Sequence, residues 1–492
     1  MHILSATASR SGLIMADGGQ VLTAAELRHG AASLAGYLGS RGLRAGDRVV
    51  LSGPRGPETL VALYACWYGG FVAAPLEAGL PPDRIRGIFA ECAPSAALAV
   101  GSRASQLLRR AGPVDVFVTT HPQEGEERWS TALVAPPRPA AGLSDDAVAS
   151  LHFTSGSTGE AKGVPYTRGG IDVFVDFWSK TLDLGRSDRV VWAFPMAYAP
   201  SLIPLGAALA AGATVVPLAA AAASVGDLSR AALSSATVLL GVPALVASLL
   251  DRGDLNGSGL RAIVLAGEPV PAALARRLRG ALPDARLINL YGTTECNGVA
   301  TFEVTGPVDG SHLPAGRPLP FMSVRIVDDE GAEAPEGEVV VAGPTVMSGY
   351  WGDTHRASWR LIDGQRHYCT GDRGRWGPDG LLHLLGRGDG QLKIGGHRVE
   401  LGAVEAACAD VPGVDESAAV AVGPADAREV RLFVAGDVAV DDVAACLRRT
   451  LPAYAQPARI DRLEALPRGP RGKVDRGALR RLAEPSVGGV AS

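Results

Sequence analysis

From Thr23 onward the chain alternates two kinds of apolar pattern. "LTAAELRHGAASLAGYLGSRGL" opens on Thr23-x-x-Glu26, the spacing of a capping box, and sets Leu27, Leu34 and Leu38 on one helical face. "DRVVLSG" is a short apolar run bounded by turn residues and predicts a strand. "ETLVALYACWYGG" predicts a second, buried helix and "FVAAPL" another strand. The alternation returns through "TVVPL", "ATVLLG" and "RAIVLAG" with helices between them, which predicts an α/β architecture of βα-layered subdomains. After about residue 312 the texture changes. "SVRIVDD", "EVVVAG" and "GLLHLLG" are short strands spaced by Gly and Pro turns, as in a small β-barrel-like unit over residues 312–388. From about residue 390, "ELGAVEAACAD", "DESAAVAVG", "REVRLFVAG" and "VDDVAACLRRTL" predict a small α+β domain.

One stretch complicates the pattern. No charged residue occurs from Val190 to Gly226, yet Pro195, Pro200, Pro204 and Pro217, with Gly206 and Gly212, interrupt it. A membrane helix needs about 20 uninterrupted apolar residues, so the segment reads as a loop, a short helix and a strand buried inside the fold.

At 492 residues the chain exceeds one ordinary core, and 47% hydrophobic with 20% charged residues describes a globular chain. A net charge of −4 with no block of like charge argues against a nucleic-acid surface. Six cysteines without a CxxC pair imply neither a disulfide framework nor a zinc site, so a cytoplasmic location is expected. The N-terminus has no long apolar run after a basic start and does not read as a signal peptide.

Lysine is scarce. Of 47 basic residues only Lys162, Lys180, Lys393 and Lys473 are lysine; a coding bias toward arginine produces that scarcity by itself, and under such a bias a surviving lysine points to a place where a compact point charge serves better than a planar guanidinium. Lys162 sits in "FTSGSTGEAKGVPYT", where glycines and hydroxyl residues crowd together. Glycine lets the backbone approach a ligand, and clustered N–H and O–H donors suit phosphate oxygens. The loop is not a Walker-type loop, because Ala161 stands where its second glycine belongs and Gly163 follows the lysine.

Further motifs follow in order: "NLYGTTE" (289–295), "GEVVVAGPTVMSGYW" (337–351), "YCTGDRGRW" (368–376), "GRGDGQLKIGGHRVELGAVE" (386–405), "LPAYAQP" (451–457) and "GPRGKVDRGAL" (469–479). With "GGFVAAPLEAGLPPDRI" upstream, they closely resemble the adenylate-forming superfamily of acyl-CoA synthetases, nonribosomal peptide synthetase adenylation domains and luciferases. The resemblance covers nearly the whole chain. It implies a large N-terminal domain, residues 1–388, and a small mobile domain, residues 389–492, with the hinge at Asp389. It also implies ATP as cosubstrate, giving AMP and pyrophosphate, with Mg²⁺.

Residue by residue, the resemblance implies that Thr154, Ser155, Ser157, Thr158, Gly159 and Lys162 cradle the β- and γ-phosphates. Glu295, with Thr158, would hold Mg²⁺, and Thr294 would touch the α-phosphate. Tyr291 and the turn Ala266-Gly267-Glu268-Pro269 would frame adenine, with Asn289, Gly292 and Thr293 beside them. Asp372 would hold the ribose hydroxyls and Arg387 would lie near ribose and phosphate. Lys473 would reach in from the small domain to the acid's carboxylate and the α-phosphate, where one point cation offsets the charge that develops as two anions meet. Lys473, Glu295, Lys162 and Thr158 are thus the candidate catalytic residues, and Cys296 and Cys369 read as packing.

Amino-acid-activating relatives place an aspartate where this chain has Ala199, within Tyr198-Ala199-Pro200-Ser201. The other positions aligned to the acid pocket are Pro200, Ile203, Leu240, Val264, Ala266, Leu290, Gly298 and Val299, none of them charged. A buried ammonium without a partner costs several kcal/mol, so the expected substrate is an aryl or aliphatic carboxylic acid without a free α-amine. Small residues at Ala266 and Gly298 are expected to leave room for a ring or branched chain. Tyr198 stands at the gate toward the acceptor, where acyl-CoA synthetases often carry His. Lys393, Gly395 and Gly396 would border the acceptor channel; the family often has Arg where Gly395 stands. No carrier segment follows Lys473, so a separate acceptor is expected: first a carrier-protein phosphopantetheine thiol, then CoA, then a free amine. Neither nucleic acid nor membrane is an expected partner. A luciferase-like oxygenase and an inactive nucleotide-binding protein are the alternatives from other classes; oxygen uptake and acid-dependent ATP–pyrophosphate exchange discriminate them.

Overall fold

In a computed structural model of the chain, the strand runs assemble into two large sheets and three smaller ones. The structure describes residues 13–17, 20–155, 161–218, 232–353, 357–387, 391–394, 397–409, 411–423, 428–468 and 474–483. One sheet has seven strands, with Arg48–Ser52, Val72–Pro75 and Ala96–Ala99 parallel at its centre. It ends on the antiparallel pair Val148–Ser155 and Ala161–Thr167. The other has nine strands, with Thr214–Pro217, Arg189–Trp192, Val238–Gly241, Ala262–Ala266 and Arg286–Tyr291 parallel in that order. Their apolar runs are continuous, not alternating, because helices cover both faces of a parallel sheet.

Between the sheets lies the main core, where the rings of Trp67, Trp178 and Trp192 are fully buried. Truncating such a ring costs about 3–5 kcal/mol. The helix Ala24–Ser40 starts as its sequence dictates: Thr23 Oγ1 accepts from Glu26 N–H and Glu26 Oε2 accepts from Thr23 N–H at 2.8 Å. Leu27, Leu34 and Leu38 are wholly buried beneath it. Arg55 ties the two sheets together, its guanidinium donating to Leu218 O at 2.8 Å and Phe194 O at 3.2 Å.

The uncharged stretch breaks up as its prolines require. It runs through the strand Arg189–Trp192, helical turns at Ala199–Ser201 and Ile203–Ala207, the helix Ala208–Ala211 and the strand Thr214–Pro217. Residues 219–226 lie outside the described residues. No described helix is long and apolar enough to cross a membrane.

The β-rich stretch forms a curled antiparallel sheet of Ser323–Val327, Glu336–Ala342, Gln365–Trp376, Trp359–Ile362 and Leu382–Arg387. Beyond it come the hairpin Gln391–Ile394/His397–Glu400 and a three-stranded sheet of Glu416–Val422, Glu429–Ala435 and Arg459–Leu463. That sheet has two apolar faces. Ala419 and Leu432 face a core shared with Val399, Val404, Val443 and Leu447. Ala418, Val420 and Phe433 face Leu466 and Leu479, the latter on the helix Arg476–Ala483. Successive strand residues point to opposite faces, so the hairpin and the last helix lie on opposite sides of the sheet.

Candidate active site

The glycine-rich loop is the tip of an antiparallel hairpin. Thr154 pairs with Lys162 and Ser155 with Ala161, which sets Thr154 and Lys162 opposite each other at the loop's rim. Ser157, Thr158 and Gly159 lie outside the described residues, and Ser155 is described through its backbone alone. The Thr154 side chain is 6% exposed, and its hydroxyl is buried with no hydrogen-bond partner among the described residues. Lys162 Nζ sits 5.4 Å from the centre of the Tyr350 ring, and the Tyr350 hydroxyl donates to Glu295 Oε1 at 3.0 Å. Tyr350 therefore links the lysine to the acid, a residue that the motif "SGYW" contained but sequence reasoning gave no role.

Glu295 is held by the tight turn after the strand Arg286–Tyr291. At Gly292 an added Cβ would lie 1.8 Å from Asn297 O, so only glycine fits, and Asn297 takes a left-handed φ of 59°. Thr293 is buried, its hydroxyl without a partner among the described residues, and Thr294 O accepts from the Tyr166 hydroxyl at 2.6 Å. Glu295 is wholly buried, and its carbonyl accepts from Met347 N–H at 2.9 Å. A hard carboxylate oxygen suits Mg²⁺. No group of three His, Cys, Asp or Glu able to hold a metal exists among the described residues. An ion on Glu295 would therefore take most of its shell from nucleotide and water, as Mg²⁺ commonly does.

Asp372 lies on the strand Gln365–Trp376 directly across from Arg387. Its carboxylate accepts from the Tyr291 hydroxyl at 2.6 Å and from Arg387 Nη1 at 2.9 Å, while Arg387 Nη2 donates to Thr370 O. Burial and the neighbouring carboxylate hold the Tyr291 phenol well above its ordinary pKa, so it stays a donor. These residues line a cleft of about 230 Å³ with Gly267, Glu268, Pro269, Asn289, Leu290 and Gly292. Asn289 Nδ2 donates to Pro314 O at 2.7 Å, so its side chain is fixed by the neighbouring loop. Ala266 lies at the end of its strand, 2% exposed. Arg428 also lines this cleft. Nothing in its local sequence signalled that, because the segment that brings it there is distant in the chain.

Of the positions aligned to the acid pocket, Ala199, Ile203, Leu240, Val264, Ala266, Leu290 and Val299 are buried in one continuous core, with Tyr198 packed against it. Pro200 lies beside them in the turn Ala199–Ser201. Gly298 does not simply leave space: a Cβ there would come within 2.7 Å of the Phe174 ring and 3.0 Å of Leu319. Phe174 thus takes up the volume next to Gly298. Cys296 is wholly buried and Cys369 is 5% exposed, consistent with packing. His152 stacks on Tyr166 at 4.5 Å and donates from Nδ1 to Ala197 O at 2.9 Å, since a carbonyl only accepts. Its Nε2 is then a buried acceptor without a partner among the described residues, and burial lowers the pKa to about 4.

The hairpin strand His397–Glu400 comes against the strand Val148–Ser155. His397 stands edge-on to Tyr198, with ring centres 5.0 Å apart, and stacks on Tyr454 at 3.7 Å and 17°. Burial lowers the His397 pKa to about 4. Close by, the helix Val440–Thr450 packs on the helix Pro82–Cys92, with Arg449 3.8 Å from Asp83. Val474 packs instead on the sheet's other face. The arrangement presents the hairpin to Tyr198 and leaves Val474 on the far face of the sheet. Lys473, Asp389, Gly395 and Gly396 lie outside the described residues, and Lys393 is described through its backbone alone, paired with Arg398.

Tyr291, Asp372 and Arg387 thus line one cleft, while the glycine-rich hairpin meets the turn beside it, Lys162 through the Tyr350 ring that bonds Glu295 and Tyr166 through its bond to Thr294 O. Comparison gives the family: residues 5–351 match the AMP-binding enzyme family, and the chain belongs to it. Phenyloxazoline synthase MbtB of Mycobacterium tuberculosis is 33% identical over 487 residues, covering 95% of this chain and 33% of that protein. A plipastatin synthase polypeptide from Bacillus subtilis is 30% identical, covering 96% of this chain and 19% of that protein. The chain thus spans about a third or less of the length of these two relatives. Among solved structures, amide bond synthetase McbA from Marinactinospora thermotolerans matches with a TM-score of 0.85 and 26% identity, covering 98% of this chain and 99% of that one. PA1221, a nonribosomal peptide synthetase protein with adenylation and carrier domains, shares the fold with a TM-score of 0.82 at 24% identity, over 98% of this chain and 83% of that one. The chain is an adenylating enzyme of the adenylate-forming ligase class.

Proposed function

We propose that this enzyme activates an aryl or aliphatic carboxylic acid lacking an α-amine and passes the acyl group to a carrier-protein phosphopantetheine thiol. In the first step the acid's carboxylate oxygen attacks the α-phosphorus of ATP, forming acyl-adenylate as pyrophosphate leaves. In the second the acceptor sulfur attacks the acyl carbon, its proton is released, and AMP departs. ATP enters with Mg²⁺, which supplies charge neutralisation at the phosphates; Glu295 would hold it, with Thr158. Lys162 and the unpartnered hydroxyls of Thr154 and Thr293 would bind phosphate oxygens, and Asp372 the ribose. Lys473 would stabilise the first transition state after residues 389–492 rotate about Asp389.

The observation that carries the substrate reading is the buried, uncharged set around Ala199. Burying apolar substrate surface there contributes roughly 25 cal/mol per Å², whereas an ammonium would meet no carboxylate among those positions. The test is ATP–pyrophosphate exchange with matched pairs of acids, each pair differing by one α-amine. Preference for the amine-free member supports the reading; strong preference for an α-amino acid overturns it. Ala199→Asp should weaken exchange with the native acid. A second reading, direct transfer to a free amine, is favoured by the end-to-end likeness to an amide bond synthetase. Product analysis with a pantetheine thiol beside a primary amine separates the two acceptors.

A further inference from the structure

The nucleotide cleft is built almost wholly from strands and turns that precede residue 388, with one exception. Arg428, in the connection between the strands Glu416–Val422 and Glu429–Ala435, lines the same cleft as Gly267, Glu268, Tyr291, Asp372 and Arg387. It is exposed, and it makes no hydrogen bond or ion pair among the described residues. Two carboxylates, Glu268 and Asp372, share that cleft, and Asp372 is already engaged by Tyr291 and Arg387. Arg428 therefore borders the cleft without being paired to either carboxylate among the described residues.

The same docking that brings Arg428 to the cleft brings His397 to Tyr198 and leaves Val474 on the far face of the small sheet. In the function proposed above Lys473 reaches the nucleotide; turning the sheet so that its Val474 face meets the cleft would carry Arg428 away. Building on the function proposed above, we propose that Arg428 is a nucleotide ligand present only in the hairpin-in arrangement. There it holds the adenosine part of acyl-adenylate or AMP while the acceptor attacks. A planar guanidinium suits this task, because it can stack on a purine face or donate to ribose oxygens. By linkage, a nucleotide that contacts Arg428 in one arrangement only must favour that arrangement. The acceptor seam would then close preferentially over a loaded site, which limits loss of the adenylate to water.

The experiment uses the full chain and AMP as the probe, with affinity measured by titration calorimetry. Arg428→Ala should weaken AMP binding roughly 3- to 30-fold, the range of one cation–aromatic contact, and Arg428→Lys should recover part of it. The same substitution is then made together with Tyr454→Ala, which loosens the docked seam. There its effect on AMP affinity should shrink toward nothing, a non-additivity that a merely structural arginine does not produce. Unchanged AMP affinity in Arg428→Ala overturns the proposal, and so does an equal loss in both backgrounds. Failure of every amine-free acid in pyrophosphate exchange, with these AMP results intact, would instead overturn the substrate reading alone.

Discussion

Removing the Tyr454 ring should separate the two half-reactions. In the structure this ring stacks at 3.7 Å on His397, whose edge meets Tyr198 at 5.0 Å, so three rings join the turn Ala453–Ala455 and the hairpin to Tyr198. An aromatic pair is worth about 0.5–1.5 kcal/mol beyond the area it buries. Some apolar contact across the seam is lost as well, which brings the total for Tyr454→Ala to about 1–2.5 kcal/mol. If the docked arrangement is needed for acceptor attack, that energy shifts the docking equilibrium about 5- to 70-fold against transfer. Single-turnover transfer from pre-formed acyl-adenylate should fall accordingly and pyrophosphate exchange much less, because exchange uses the other arrangement. Tyr454→Phe, which keeps the ring, should stay close to wild type, and thermal melting checks that the small domain still folds. Equal losses in both half-reactions, or no loss in transfer, would refute the reasoning.

Other substitutions bear on separate steps. Lys473→Ala should lower pyrophosphate exchange by about two to three orders of magnitude while transfer from supplied adenylate largely survives; exchange near the wild-type rate removes the assignment. Glu295→Gln keeps the acceptor for the Tyr350 hydroxyl but lowers the charge. Half-saturation by Mg²⁺ should rise by at least the roughly 10- to 100-fold that loss of an outer-shell partner costs, and an unchanged Mg²⁺ titration contradicts it. His152 is neutral in the fold, with its pKa lowered to about 4 by burial against an ordinary value near 6.5. Between those values the unfolded chain binds the extra proton, so stability falls as pH drops through that window. The loss attributable to His152 should be about 2 kcal/mol between pH 7 and pH 5, read by urea denaturation and flattened in His152→Asn.

The parts of this molecule visible in its sequence are those where local chemistry decides. The capping box at Thr23 and Glu26, the continuous apolar runs of the parallel strands and the proline breaks after Val190 each follow from backbone and burial rules that act over a few residues. The clustering of Tyr291, Asp372 and Arg387 was legible only through ordered motifs, since it joins strands whose residues Tyr291 and Asp372 lie 81 positions apart. Tyr350, Phe174 and Arg428 were not legible beside the candidate site. Each meets a neighbour that the sheet order, not sequence spacing, supplies: Glu295, Gly298 and the cleft beside Asp372 respectively. Gly298 shows the limit of reading size from composition, because the volume it frees is occupied by a phenylalanine from another helix.

The central claim is that a carboxylate oxygen of an amine-free acid attacks the α-phosphorus of ATP. Supplying an acid labelled with ¹⁸O in its carboxyl group, with ATP, Mg²⁺ and an acceptor, and weighing the products by mass spectrometry tests it directly. The account predicts that one labelled oxygen appears in AMP for each acyl group transferred and none in pyrophosphate. Unlabelled AMP, or release of ADP and labelled phosphate, would contradict it.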